Sequence, residues 1–429
     1  MCSFKQRMAL IVASCFVVTI SLGTLAIAKE RTLRISAEAW YFKKYKLYDA
    51  AEKFQKDHPD VKVEYTKIGD FETAPFMLMW SRGRTNADLA IVAAPPDAAP
   101  FVAKDLVIDF EDLFTGDFSK DKWLGAFLDE CVIKGKIYVL PTDSEVMSLT
   151  VRKDLLAELG LVDKKGNIIP AKSLAELYDY ARKLTTKDAA GKTTRYGLDV
   201  NWDIAYMPFT YLSGLQATRG NIFAPDGTTI DFASKEALDL LTWWHRGVKE
   251  GYFSSGSLVD HNSPRSGMKA GTNAMIWVDQ GRWIECGQVL GPEKATVMPI
   301  PGSVENGTLV YSMSMMVPKV SPNIDLVKQF IKEQLWSKWF NQWTLVNYGK
   351  MTALKRNYAG MLEDPGWKTI FGLAENEKTV YTPKYKDYPK LVDIMTAEIQ
   401  SMLNSYQTPE KTLQNIQNQI KGLDLAPVE

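Results

Sequence analysis

The residues of this chain best suited to hold a small polar molecule fall in a few short clusters of acids and flat rings. Pro141-Thr142-Asp143-Ser144-Glu145, read as a loop, places two carboxylates directly after an apolar stretch, where burying a charge is costly without a partner. Asp143 and Glu145 are therefore read as hydrogen-bond acceptors for a ligand, against the alternative that Asp143 only orients a turn. Glu38-Ala39-Trp40-Tyr41 follows the first expected strand. There the functional reading has Glu38 take a pair of hydroxyls and Trp40 give a stacking face. An exposed loop with Trp40 covering the core is an equal reading. Trp277-Val278-Asp279-Gln280-Gly281-Arg282-Trp283 follows a later strand, with Arg282 set to bond hydroxyls or to pair with Asp279. Asn201-Trp202-Asp203 and Tyr311 are further candidates, although Asp203 also suits a helix cap. Acids beside aromatic planes answer a ring that shows hydroxyls at its edge and C–H bonds on its faces.

Other chemistries lack their signatures. His58, His245 and His261 share no ligand spacing, so no metal, cofactor or catalytic constellation is expected. No glycine-rich phosphate cradle or nucleophile elbow is present. The 51 basic residues balance 51 acidic ones, which gives no net pull toward nucleic acid. Trp336, Trp339 and Trp343 recur at helical spacing and read as a packing stripe, as do Trp243 and Trp244.

The elements that must position these clusters alternate between strands and helices. A strand at Thr32–Ser36, a helix at Tyr45–His58, a strand at Val61–Tyr65, a helix at Phe71–Arg82 and a strand at Ala87–Val92 open an α/β sheet. Strands follow at Lys136–Leu140, Asn273–Val278, Ala295–Pro299 and Leu309–Val317, with helices at Lys153–Leu159, Leu174–Leu184 and Lys235–Lys249. From Ile324 the pattern is mainly helical, ending in Pro409–Lys421 behind Thr408 as a cap. A length of 429 residues, with 46% hydrophobic, suits more than one domain. The absence of a linker implies that the chain crosses between them repeatedly.

The N-terminus carries Lys5 and Arg7, an apolar run from Met8 to Ile27, and Ala26-Ile27-Ala28 before Lys29. That grammar predicts an export signal over residues 1–28 cleaved after Ala28, with a lipid anchor through Cys15 or an uncleaved membrane anchor as alternatives. The mature chain then keeps Cys131 and Cys286, which either pair or stay as separate buried thiols.

An ordered series of motifs resembles the extracellular solute-binding proteins of carbohydrate ABC importers. The series runs Phe54-Gln55-Lys56-Asp57-His58-Pro59-Asp60-Val61-Lys62-Val63, Asn86-Ala87-Asp88-Leu89, Gly135-Lys136-Ile137-Tyr138-Val139-Leu140-Pro141 and Val151-Arg152-Lys153-Asp154-Leu155. It continues through Gly271–Met275, Gly281-Arg282-Trp283, Met298–Gly302, Val317–Lys319 and Asn347-Tyr348-Gly349-Lys350-Met351. The resemblance implies an α/β, two-lobed periplasmic-binding-protein type II fold with a hinge, its lobes spanning 29–141 plus 302–350 and 142–301 plus 351–429. It further implies a sugar ligand, ABC permease subunits as partners, a monomeric state and a periplasmic location. It places Glu145 where an acid contacts sugar, Trp202 where the second lobe presents a ring, and Trp283, then Trp277, as stacking platforms. Two competing readings stay open: a binder of a polyol, polyamine or peptide, favoured by amine competition with salt, and a glycoside-processing enzyme, favoured by turnover.

Overall fold

A computed structural model describes residues 30–69, 73–91 and 94–428. The expected signal over residues 1–28, with Cys15, lies outside the described residues, as do Phe71 and Val92.

Ten strands form one sheet: β1 (Arg31–Glu38), β2 (Val61–Ile68), β3 (Leu89–Ile91), β4 (Leu140–Arg152), β5 (Leu198–Val200), β6 (Phe253–Ser254), β7 (Met275–Asp279), β8 (Ala295–Met298), β9 (Leu309–Met316) and β10 (Val380–Tyr381). Their order is β6-β5-β7-β4-β9-β3-β1-β2, with β8 also on β4 and β10 on β9. β1 pairs in parallel with β2 and β3, giving the expected β-α-β-α-β opening. The helix Leu47–Asp57 covers it by burying Leu47, Ala50, Ala51 and Phe54 at helical spacing.

The long strand β4 joins the two halves of the sheet. Its first part, Leu140–Val146, pairs antiparallel with β9, and its second part, Met147–Val151, pairs antiparallel with β7. Val146 belongs to one hydrophobic core and its neighbour Met147 to another. The first core also holds Leu33, Phe54, Leu89 and Phe330, and the second holds Leu212, Trp244, Trp277 and Ile399. This is the α/β, two-lobed architecture, with crossing strands where the cores meet. The helix Pro365–Glu375 belongs to the first core: Trp367, Ile370 and Leu373 join it, and Trp367 packs on Trp283 of the same core at 5.5 Å between ring centroids.

Three local expectations change. Pro141–Glu145, read as a loop, is strand, because β4 and β9 continue pairing through it and burial on both faces hides the alternation that marks a strand. Lys136–Leu140 is not one strand: Lys136–Ile137 forms a hairpin with Val132–Ile133, and β4 begins at Leu140. Trp336 lies ahead of the helix Lys338–Tyr348 and its Ser337 cap, so the three tryptophans share no single helical stripe. Trp336 is nevertheless buried, against Phe114, Phe118 and Trp123. Elsewhere boundaries move by a few residues, as at Pro409–Gln419, where Thr408 accepts from the Lys411 amide at 3.3 Å. Cys131 and Cys286 are separate, buried, free thiols. No helix among the described residues is long and apolar enough to cross a membrane.

Where the two long strands cross, the Ser144 and Ser312 hydroxyls meet at 2.8 Å with both side chains buried. Replacing either serine by alanine strands the other hydroxyl and should cost about 1–2 kcal/mol, whereas the double variant should lose less than the sum. A denaturant double-mutant cycle measures this. Additive losses would show that the pair does not act as a unit.

Candidate functional site

A cleft of about 760 Å³ opens beside the crossing strands. Its floor comes from β4 and β9, which supply Asp143, Glu145, Tyr311, Ser312 and Met313. One wall carries Glu38 from the end of β1 with Trp40, Lys44 and Tyr45 after it. The other carries Tyr206, Phe209, His261, Arg265 and Arg282. The site thus joins the carboxyl end of β1 to interior residues of β4 and β9, beside the usual ligand position at strand ends in open α/β folds.

Charges on the floor alternate in sign. The Lys350 ammonium contacts the Glu145 carboxylate and lies 3.1 Å from Asp279 Oδ1. Asp279 Oδ2 accepts from the Tyr206 hydroxyl at 3.1 Å and the Tyr311 hydroxyl at 3.4 Å, and pairs with Arg282 Nε at 3.2 Å. Arg282 also donates to Glu285 Oε2 at 2.8 Å and to the Tyr206 oxygen at 2.9 Å. Burial works to raise the Glu285 carboxyl, but Arg282 and Lys269 hold it down at about 2. Lys350, Glu145 and Asp279 are all buried, so each charge relies on the next for the solvation it has lost.

Asp143 is held differently. The Tyr45 hydroxyl donates to its Oδ2 at 3.1 Å, and the Thr142 hydroxyl donates to Oδ1 at 3.1 Å. Burial raises its carboxyl above the usual range, opposed by the Lys350 charge. Behind this network Gln280 clasps the crossing. Its side-chain oxygen accepts from the Val146 amide at 2.6 Å, and its amide nitrogen donates to the Gly349 carbonyl at 2.9 Å. Gly349 turns the chain with φ 64°, which brings Lys350 under the floor.

Rings supply the apolar walls. Trp40 is 37% exposed, and its Nε1 donates to Glu38 Oε2 at 2.5 Å. Opposite, Phe209 and Tyr311 stack at 4.0 Å with 7° between planes, and Tyr206 meets Tyr311 edge-on at 6.3 Å.

Of the residues expected from sequence, Glu38, Trp40, Asp143, Glu145, Arg282 and Tyr311 line the cleft, and Asp279 lies directly beneath it. Asp203 is one step removed, bonded to His261 Nδ1 at 3.0 Å. Three tryptophans are elsewhere. Trp277 is fully buried under the helices Met207–Arg219 and Lys235–Lys249, its Nε1 donating to Ser213 at 3.2 Å. It shares a strand face with Asp279 but sits two residues further from the strand end, where helices cover the sheet. Trp202 is fully buried against Trp244. Trp283 follows Arg282 on a helix, so the roughly 100° turn between neighbours points it away from the cleft. Its Nε1 donates to the Ala295 carbonyl at 3.0 Å. Lys44, Phe209, His261, Arg265 and Lys350 were not singled out from sequence. Only Lys350 stood in a recognisable motif, Asn347–Met351.

Two lobes, each with its own core, joined by crossing strands beside a lined cleft, define a ligand-clamping class of protein. Residues 41–335 match the model for bacterial extracellular solute-binding proteins, well over half the chain, and the chain belongs to that family. No curated protein sequence matches it significantly. Among solved structures, maltose-bound MalE3 of T. maritima superposes with a TM-score of 0.73 at 18% identity, covering 91% of this chain and 99% of that one. A solute-binding protein of Thermotoga lettingae TMO bound with α-D-tagatose gives a TM-score of 0.75 at 20% identity, covering 92% and 100%. Lmo0181 of Listeria monocytogenes, in complex with cycloalternan, gives 0.72 at 19%, covering 91% and 98%. At these identities the likeness is one of fold.

Proposed function

We propose that this chain is the substrate-binding component of an ABC sugar importer. It captures a mono- or oligosaccharide between its lobes and delivers it to a membrane permease without chemical turnover. The observation that carries the reading is the cleft itself: about 760 Å³, with ring faces on both sides and a buried, hydrogen-bonded acid-base floor. A volume of that order suits a ligand of one to a few rings. The sugars present in the maltose-, tagatose- and cycloalternan-bound relatives favour the same class.

In this reading Glu38, Asp143, Glu145 and Arg282 meet hydroxyls, Trp40 and the Phe209–Tyr311 stack meet ring faces, and Asp279 holds Arg282 and Tyr311 in place. The lobes comprise 29–141 plus 302–350 and 142–301 plus 351–429, with the helix Pro365–Glu375 packing against both. The mature monomer works in the periplasm after an export signal is removed behind Ala28. Ligand favours the closed state because only there do both walls touch it, and that differential affinity drives closure.

A panel of mono-, di- and trisaccharides, polyols and amines tests this by thermal shift and solution scattering. A carbohydrate should raise the melting temperature and reduce the radius of gyration, and Phe209→Ala should weaken its binding about 10- to 100-fold by removing a stacking face. A panel in which no carbohydrate does either would refute a sugar ligand.

A further inference from the structure

The charges lining the cleft are not equally satisfied. Glu145 pairs with Lys350, Asp143 accepts from Tyr45 and Thr142, and Asp97 accepts from the Ala94 amide at 3.2 Å. Glu38 accepts from Trp40, and Arg282 is bound by Asp279, Glu285 and Tyr206. Lys44 is different. Among the described residues no carboxylate oxygen lies within 4 Å of its ammonium, and its neighbours are aromatic: Tyr348 at 4.8 Å, Trp40 at 5.6 Å and Tyr45 at 5.7 Å from the ring centroids. Those rings steady the cation electrostatically but offer no hydrogen-bond acceptor to its three N–H groups. Across the cleft, the Arg265 guanidinium has one carboxylate nearby, Glu285 at 3.8 Å, which is beyond hydrogen-bond range. Glu285 is itself already shared with Arg282 and Lys269.

Closing a cleft over Lys44 and Arg265 strips water from two cations that, among the described residues, have no carboxylate within hydrogen-bond range. The penalty is large unless the ligand supplies one. Burial and the nearby Arg282 charge already push the Lys44 ammonium below its ordinary range. An anionic group is what this corner lacks. With Arg282 held by its own partners, Lys44 and Arg265 offer one donor group on each wall, which matches the two oxygens of a carboxylate.

Resting on the sugar-binding reading above, the geometry points to an acidic sugar as the ligand, a uronate whose carboxylate bridges Lys44 and Arg265. Its ring lies over Trp40 and the Phe209–Tyr311 stack, and its hydroxyls reach Glu38 and Asp143. The carboxylate also links the walls, so it contributes to closure and not only to affinity.

Titration calorimetry on the mature protein tests this with D-glucuronate, D-galacturonate and their disaccharides beside D-glucose, D-galactose, maltose and glucose 6-phosphate. A uronate should bind at least about tenfold tighter than its neutral parent, as one charge-assisted contact provides. Lys44→Met and Arg265→Gln, on opposite walls, should each weaken uronate binding about 10- to 100-fold and remove most of its advantage over the neutral parent. Circular dichroism and melting of each free variant report whether it folds, and either folded variant suffices. A neutral sugar bound as tightly as its uronate, a preference for glucose 6-phosphate, or uronate affinity indifferent to both substitutions would overturn the acidic ligand and leave the sugar reading standing. If no saccharide of either kind binds, the sugar reading fails and this inference with it.

Discussion

Replacing Lys350 with methionine should lower the unfolding free energy at neutral pH by about 3–5 kcal/mol, the largest loss expected of any single change in the cleft. The substitution keeps the length and apolar stem of the side chain but removes, among the described residues, the one cation in contact with Glu145 and one of the two that pair with Asp279. Both carboxylates are buried, so neither can recover the lost attraction from water. The deficit should shrink when the charge it strands is removed as well. In the double variant Lys350→Met with Glu145→Gln no carboxylate is left at position 145 without its cation, so part of the lost stability returns. Urea denaturation of wild type and both variants at neutral pH measures it. A double variant no more stable than Lys350→Met alone would show that packing, and not charge, accounts for the loss.

Gln280→Leu should cost about 3 kcal/mol, and the loss should fall on the crossing between the lobes. The glutamine joins three chain segments: its oxygen takes the Val146 amide of β4, and its amide nitrogen bonds the Gly349 carbonyl at 2.9 Å and the Ser144 carbonyl at 3.3 Å. Leucine fills a similar volume without restoring any of these bonds, so the cost is one of buried polar groups left unpaired and not of a cavity. The urea midpoint should drop with little change in slope, since the surface exposed on unfolding stays the same. The Gly349 turn also carries Lys350, so amide exchange near Gly349 should accelerate more than in either core. Uniform acceleration through both cores, with the turn no faster than the rest, would place the effect elsewhere.

Much of the cleft lining is legible in the sequence, for reasons that differ by residue. Asp143 and Glu145 stood out because acids after an apolar run need partners, and both are buried on the cleft floor. Glu38 and Trp40 were recognisable from their place after the first strand. The tryptophans misled because residue type does not say how far along an element the covering helices extend. Trp277 precedes the strand end by two residues, and Trp283 follows Arg282 by one helical step, and in each case that offset separates core from cleft. Lys44 and Arg265 carried no signal, because a lysine ending a short helix or an arginine within one looks solvated until another segment closes over it.

The amino-acid order alone determined the α/β class, the parallel opening of the sheet and the family, since these follow from local periodicity and ordered motifs. Tertiary structure decided what faces the cleft. The long strand Leu140–Arg152 hands its pairing from one neighbour to another between Val146 and Met147. Gly349 then returns Lys350 beneath Glu145 from some two hundred residues away in the chain. Charge pairing at such separations depends on the three-dimensional path of the backbone, and no local pattern encodes it. The same path brings Lys44 and Arg265 to the lining of one cleft.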